Sequence, residues 1–176
     1  EETGGDPEKA REVLRQKGLA DAMKRAGRAT QEGLIGSYIH SNGKVGTLVE
    51  LCCETDFVAR TEEFATLAHE LAMQVASMRP EFVSPADIPE ERLATERRIF
   101  EEMTRGEGKP EQAIPKIVEG RLRKLYSQIC LLDQPYVKDE KGKMKVQDLV
   151  NQTKAKLGEN ILVRRFVRFE LGEDGG

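Results

Sequence analysis

The feature that most limits what this chain can fold into is Asn42-Gly43, set between two strand-like segments in "GLIGSYIHSNGKVGTLVELCC". Such a pair between apolar runs is the strongest short-range hairpin signal, because both turn positions must take positive φ. The spacing predicts strands at about 33 to 41 and 45 to 53. After "ETDFVAR" the period changes from two to three and four. In "TEEFATLAHELAMQVASMRP", Phe64, Leu67, Ala68, Leu71, Ala72, Val75 and Ala76 follow the i, i+3, i+4, i+7 rule, and Pro80 ends the run. This predicts a helix with a single apolar face that packs on the hairpin.

Further along, "SPADIPEE" and "GEGKPE" read as loop entries with prolines near helix starts. Helices are expected at about 90 to 105 and 111 to 129. In the second, Ile114, Ile117, Val118, Leu122, Leu125 and Ile129 form a continuous stripe, and Pro115 breaks the first turn. "VKDEKGKMK" is a polar turn, and Val146 to Leu157 a short helix closed by Gly158. In the closing "NILVRRFVRFELG", Ile161, Val163, Val167, Phe169 and Leu171 share one parity, interrupted by Arg165, which reads as a strand with one apolar face. A hairpin, several helices and a late returning strand give an α+β fold: a three-stranded antiparallel sheet packed with helices, its third strand beside the hairpin. Upstream, Asp6 and Pro7 start a short helix carrying Val13 and Leu14 and ended by Gly18, and Leu19 to Ala26 makes a second, ended by Gly27. Two such helices bury too little to stand alone. Either they pack on the main body or they close a small helical domain.

Composition narrows the function. With 34% charged and 38% hydrophobic residues over 176, no apolar run approaches the roughly 20 residues that a membrane span needs. A formal net charge of −3 weighs against a dedicated nucleic-acid binder, whose affinity rests on neutralising phosphates. The segment "VRRFVRF" is the one stretch resembling an RNA platform, but Phe166 and Phe169 have opposite parity, so Arg164 and Arg168 read better as wet-face or glutamate-paired residues of a core strand. Three cysteines, Cys52 and Cys53 adjacent, make neither a disulfide framework nor a zinc spacing and fit a reducing compartment. His40 and His69 are lone residues without a local nucleophile or metal-ligand spacing. No GxxxxGK[ST] or GxGxxG phosphate loop occurs. Cys53 beside Glu54 is a nucleophile on paper and more naturally a strand-end cysteine. No cofactor and no enzyme activity is read from these residues.

One junction stays open. "CETDFVAR" places a carboxylate and a phenylalanine, Asp56 and Phe57, where the second strand gives way to the helix. The ring is either a plug tucked into the core or a probe offered to another molecule.

In "LIGSYIHSNGKVGTLVELCCETDFVARTEEF", "EGRLRKLYSQICLLDQPYVKD" and "KLGENILVRRFVRFELG", taken in that order, the chain resembles the bacterial and organellar translation elongation factor Ts family. The likeness covers nearly its whole length. It implies a division into residues 1–30, the remnant of a small ubiquitin-associated-like (UBA-like) helical domain whose opening helices would precede residue 1, and residues 31–176, the core and dimerisation domain. It implies a guanine-nucleotide exchange factor that binds elongation factor Tu, both GDP-bound and nucleotide-free. In the family, the segment matching Thr55, Asp56, Phe57 and Val58 enters the partner near its magnesium site. A homodimer is possible, with no direct nucleic-acid or membrane partner. The compartment implied is the bacterial cytoplasm or an organelle matrix or stroma. Cys52 stands where the family usually has asparagine, a departure that bears on how the following turn is held.

Overall fold

The computed structural model describes residues 9, 13, 16–18, 20, 21 and 24–173. Among these, three strands form one antiparallel sheet in the order β1-β2-β3: β1 Glu32–Ile39, β2 Val45–Cys53 and β3 Ile161–Glu170. Between β2 and β3 run α1 Asp56–Ala59, α2 Glu62–Met78, α3 Glu90–Gly106, α4 Ile114–Ile129 and α5 Val146–Leu157. The architecture is the expected α+β arrangement, and β3 lies beside β2.

The hairpin turn differs from expectation. The Gly43 N–H donates to the His40 carbonyl, Gly43 takes φ 66°, and Asn42 keeps a negative φ while its Oδ1 accepts the Lys44 N–H. This is a longer connection with a single left-handed residue, not a two-residue turn, so β1 ends at Ile39 instead of about 41.

One face of the sheet is sealed by α2, whose Phe64, Leu67, Ala68, Leu71, Ala72 and Val75 meet Val49, Leu51, Ile161 and Val163. Helix α2 fits this closely on β1 because Gly36 has no side chain: a Cβ there would fall 2.5 Å from the Ala68 carbonyl oxygen. Buried Thr47 offsets its polarity by donating to the Ala72 carbonyl at 2.7 Å. Buried Gln74 and Gln134 satisfy one another at 3.2 Å and reach the Pro135, Met78 and Gln128 carbonyls, tying α2 to the strap before α5. The helix ends at Met78, two residues before Pro80, with Arg79 in the left-handed region at φ 48° and ion-paired to Glu170.

The shared parity expected of β3 does not hold. Glu50 pairs with Arg165 but Leu51 with Val163, so Arg164 is an extra residue on β3. Such a bulge reverses which side chains point to which face. Ile161 and Val163 are in the core, and beyond the bulge Phe166 packs on it, while Val167, Phe169 and Leu171 are exposed.

Helices α3 and α4 pair into a hairpin with its own cores, built around Ile114, Val118 and Leu122 and around Ile88, Ile129 and Cys130. Pro115 sits in the first turn of α4, where its missing N–H leaves no bond unmade, and a separate 3-10 turn, Glu111–Ala113, precedes it. Helix α5 closes at Gly158, φ 74°, as the sequence predicts.

Near the N-terminus every described residue up to 25 is helical, Gly18 included, and a turn follows at 26–27. The expected stop at Gly18 is therefore replaced by a contact: a Cβ on Gly18 would lie 3.2 Å from the Ala155 Cβ of α5. The expected helix start at Asp6-Pro7, and Leu14 and Leu19, lie outside the described residues.

The Gly36 contact makes a test. Gly36→Val should lower stability in urea unfolding by about 1–3 kcal/mol, the usual range for overpacking; an unchanged midpoint would show that α2 can retreat freely.

Candidate functional site

The junction between β2 and α2 is organised by two threonines six positions apart. Thr55 caps α1, its Oγ1 accepting the Val58 N–H, and Thr61 caps α2, its Oγ1 accepting the Phe64 N–H. The Thr61 hydroxyl also donates to the Val58 carbonyl at 2.8 Å. One helical turn between two caps gives residues 56–59 fixed directions. Val58 and Ala59 turn inward against the core, and Phe57 turns out.

Phe57 is 82% exposed, whereas Phe64, seven residues on, is fully buried. The plug reading of Phe57 fails because Phe64 already fills the space beneath α2. Asp56 is half-buried and pairs with Arg60 at 2.9 Å, one turn along.

The base of the turn is held from the other end of the chain. Glu159, between α5 and β3, accepts from the N–H groups of Glu54 and Thr55 at 3.0 and 3.1 Å and from the Thr55 hydroxyl at 2.6 Å. In return the Glu54 carboxylate accepts the Asn160 N–H at 2.6 Å, and Arg28 approaches it at 3.5 Å. The Asn160 side chain donates to the Arg28 carbonyl at 2.9 Å. Sequence reasoning did not find Glu159, and the only local signal for it is Gly158-Glu159-Asn160, which reads as a helix stop.

Cys53 is buried, and its Sγ–H donates to the Thr55 carbonyl at 3.1 Å. Burial, with the charge of Glu159 adding to it, pushes the thiol up to about 11. A thiolate is thus disfavoured near neutrality, the reverse of what a nucleophile requires. Cys52 is buried too, its thiol directed at the Glu50 carboxylate at 3.8 Å. The two histidines meet around one ring: the Tyr38 hydroxyl is 3.1 Å from His40 Nδ1, and its ring lies edge-on to His69. Among the described residues no cluster of three or more His, Cys, Asp or Glu is arranged to hold a metal ion, and no helix is long and apolar enough to cross a membrane.

The arginines of β3 have partners. Arg164 and Arg165 both meet Glu50, at 3.3 and 2.6 Å, and Arg168 is largely buried against Glu170, Glu173 and the Ala76 carbonyl. Cations so paired have less charge to offer a phosphate. The outer face of the sheet is instead apolar: Ile35, Ile39, Leu48, Val167 and Phe169 are all exposed there. Cross-strand register aligns Ile35, Glu50 and Arg165 in one row, Ser37, Leu48 and Val167 in the next, and Ile39, Gly46 and Phe169 in a third.

An α+β body that holds a hydrophobic ring outside itself on a clamped turn has the form of a protein-binding module. Comparison with known proteins gives its family. Residues 22–173 match the family described as Elongation factor TS. Elongation factor Ts of Moorella thermoacetica is 56% identical over 172 residues, covering 98% of this chain and 84% of the relative. The Solidesulfovibrio magneticus protein of the same name is 54% identical (98% and 86% covered) and that of Thermotoga neapolitana 53% (99% and 87%). The chain belongs to the elongation factor Ts family. Membership makes it a nucleotide exchange factor for elongation factor Tu in translation elongation, one that is not a catalytic enzyme in the usual sense.

Two outcomes follow from this geometry. Because Phe57 touches little of its own chain, Phe57→Ala should change folding stability by no more than about 0.5 kcal/mol, as surface substitutions do; a loss several times larger in urea unfolding would show the ring to be packed. At pH 8, iodoacetamide should leave Cys53 unmodified in the folded protein over a period that fully alkylates it in urea, and rapid stoichiometric reaction of the folded chain would contradict its buried, protonated state.

Proposed function

We propose that this chain speeds GDP release from elongation factor Tu by pushing the segment Thr55, Asp56, Phe57 and Val58 into the partner's nucleotide-binding domain near the magnesium site. The observation that carries this reading is the Phe57 ring standing in solvent on a turn whose base is clamped. Burying such a ring in a partner contributes roughly 1.5–3 kcal/mol. The partner must rearrange to admit it, and each ~1.4 kcal/mol taken from nucleotide binding is about tenfold in affinity. The coupling is reciprocal, so returning nucleotide weakens the hold of the factor and expels it. Asp56, already tethered to Arg60, carries its charge beside the entering ring and orients it. Residues 1–30 belong to a UBA-like helical region that grips the same partner, and residues 31–176 carry the inserting turn. As the relatives are bacterial, the site of action is the cytoplasm.

The test is the release of a fluorescent GDP analogue from elongation factor Tu in excess unlabelled GDP. The native chain should accelerate release, and Phe57→Ala should reduce that acceleration at least tenfold while folding normally. A folded Phe57→Ala variant that exchanges like the native chain would overturn insertion of the ring.

The same reading includes self-association through the outer sheet face. Its apolar rows lie to one side of Glu50 and Arg165, a pair of opposite charges that a two-fold axis sets against its own copy. In sedimentation velocity at micromolar concentration the native chain should run as a dimer and Leu48→Glu as a monomer. A native monomer at that concentration would rule the face out as a self-interface.

A further inference from the structure

We infer that Glu159 is a positioning residue for nucleotide exchange: it aims Phe57 by holding Thr55. The inference rests on the insertion reading above and goes beyond it to a residue 104 positions from the turn it controls.

Phe57 has almost no contacts of its own, so its direction is inherited from the backbone that precedes it. That backbone is Thr55, and each of its polar groups is engaged. Its N–H and its hydroxyl both donate to the Glu159 carboxylate. The hydroxyl oxygen accepts the Val58 N–H, and the carbonyl accepts the Cys53 thiol at 3.1 Å and the Ala59 N–H at 3.2 Å. Of these ties, the Val58 and Ala59 bonds are local and move with the turn, while the Cys53 thiol holds the Thr55 carbonyl to the end of β2. Among the described bonds of Thr55, those to the Glu159 carboxylate are the ones that reach a residue distant in sequence, and they hold its N–H and hydroxyl. A carboxylate suits the task because it is an acceptor only, with room for three donors on two oxygens.

Register explains why this residue can reach. Cys53, the last residue of β2, pairs with Ile161, the first of β3, so the two chain ends leave the sheet side by side. Gly158 in the left-handed region ends α5 and delivers Glu159 to that edge. Asn160 binds back to Glu54, so each turn holds the other. Without the carboxylate, the donors of Glu54 and Thr55 turn to water and α1 samples other orientations. The ordering cost then falls at the moment of docking and weakens the encounter.

The experiment uses the full chain, elongation factor Tu and four forms: native, Glu159→Ala, Phe57→Ala and the double variant, with Glu159→Gln as the conservative control. Three quantities are read: GDP release, affinity for nucleotide-free elongation factor Tu, and hydrogen exchange at the Glu54 and Thr55 amides. Glu159→Ala should speed exchange at those two amides at least tenfold with the β2 amides unchanged. It should also cut GDP release and affinity about tenfold in the native background. In the Phe57→Ala background it should change affinity less than twofold, because there is no ring left to aim. Glu159→Gln, which keeps an acceptor oxygen, should fall between. Equal losses of affinity in both backgrounds would make Glu159 merely structural and overturn the inference. So would a Glu159→Ala form that releases GDP like the native chain. If the native chain itself fails to speed release, the insertion reading fails and takes this inference with it.

Discussion

Everything in this protein is placed by the contact between one face of a three-stranded sheet and helix α2. A sheet of this size is stable only when something covers it, and here the covering helix comes close because Gly36 admits the Ala68 backbone. Thr47, donating to Ala72, adds a directional bond that sets the position of α2 along the strands. Once α2 is seated, the start of α2 and the end of β2 are fixed in space, and the residues between them must form a tight connection. Thr55 and Thr61 make it from two successive caps, and the outward direction of Phe57 follows from one helical turn between them.

The same contact accounts for what is left uncovered. Helices α3 and α4 bury their apolar stripes against each other, and α5 adds Val146 and Val150 to the core beneath α2. None of them lies over the outer sheet face, which remains apolar in Ile35, Ile39, Leu48 and Phe169. The bulge at Arg164 deepens the asymmetry by sending Val167, Phe169 and Leu171 outward and drawing Phe166 in. It also brings Arg164 and Arg165 both to Glu50, so two cations of the most basic stretch share one carboxylate.

Much of this was legible beforehand, for definite reasons. Elements governed by near neighbours agree closely with expectation: α2 follows from hydrophobic period, α3 from its proline-marked entry, and Gly158 ends α5 by adopting the left-handed conformation it tolerates best. The hairpin was legible but its turn was not, since Asn42-Gly43 is compatible with more than one loop length and strand pairing chose the longer. Gly18 read as a helix stop because glycine's cost within a helix is local, while its use here, close approach to Ala155, is not. In the turn, Thr55 read as a cap, but nothing local separated an inward Phe57 from an outward one. Phe64 decided that by filling the core first.

Sequence alone determined the order of the three strands and the main helices and, through three stretches that span nearly the whole chain, the family resemblance. The strands and helices depend on residues within about four positions of one another, the reach of helix and turn interactions. Tertiary structure decided the face each half of β3 presents, the exposure of Phe57, the burial that raises the Cys53 thiol pKa and the hold of Glu159 on Thr55. Each of these depends on groups that meet only after the sheet has closed, where one extra residue in a strand or one carboxylate from the far end of the chain outweighs any local preference.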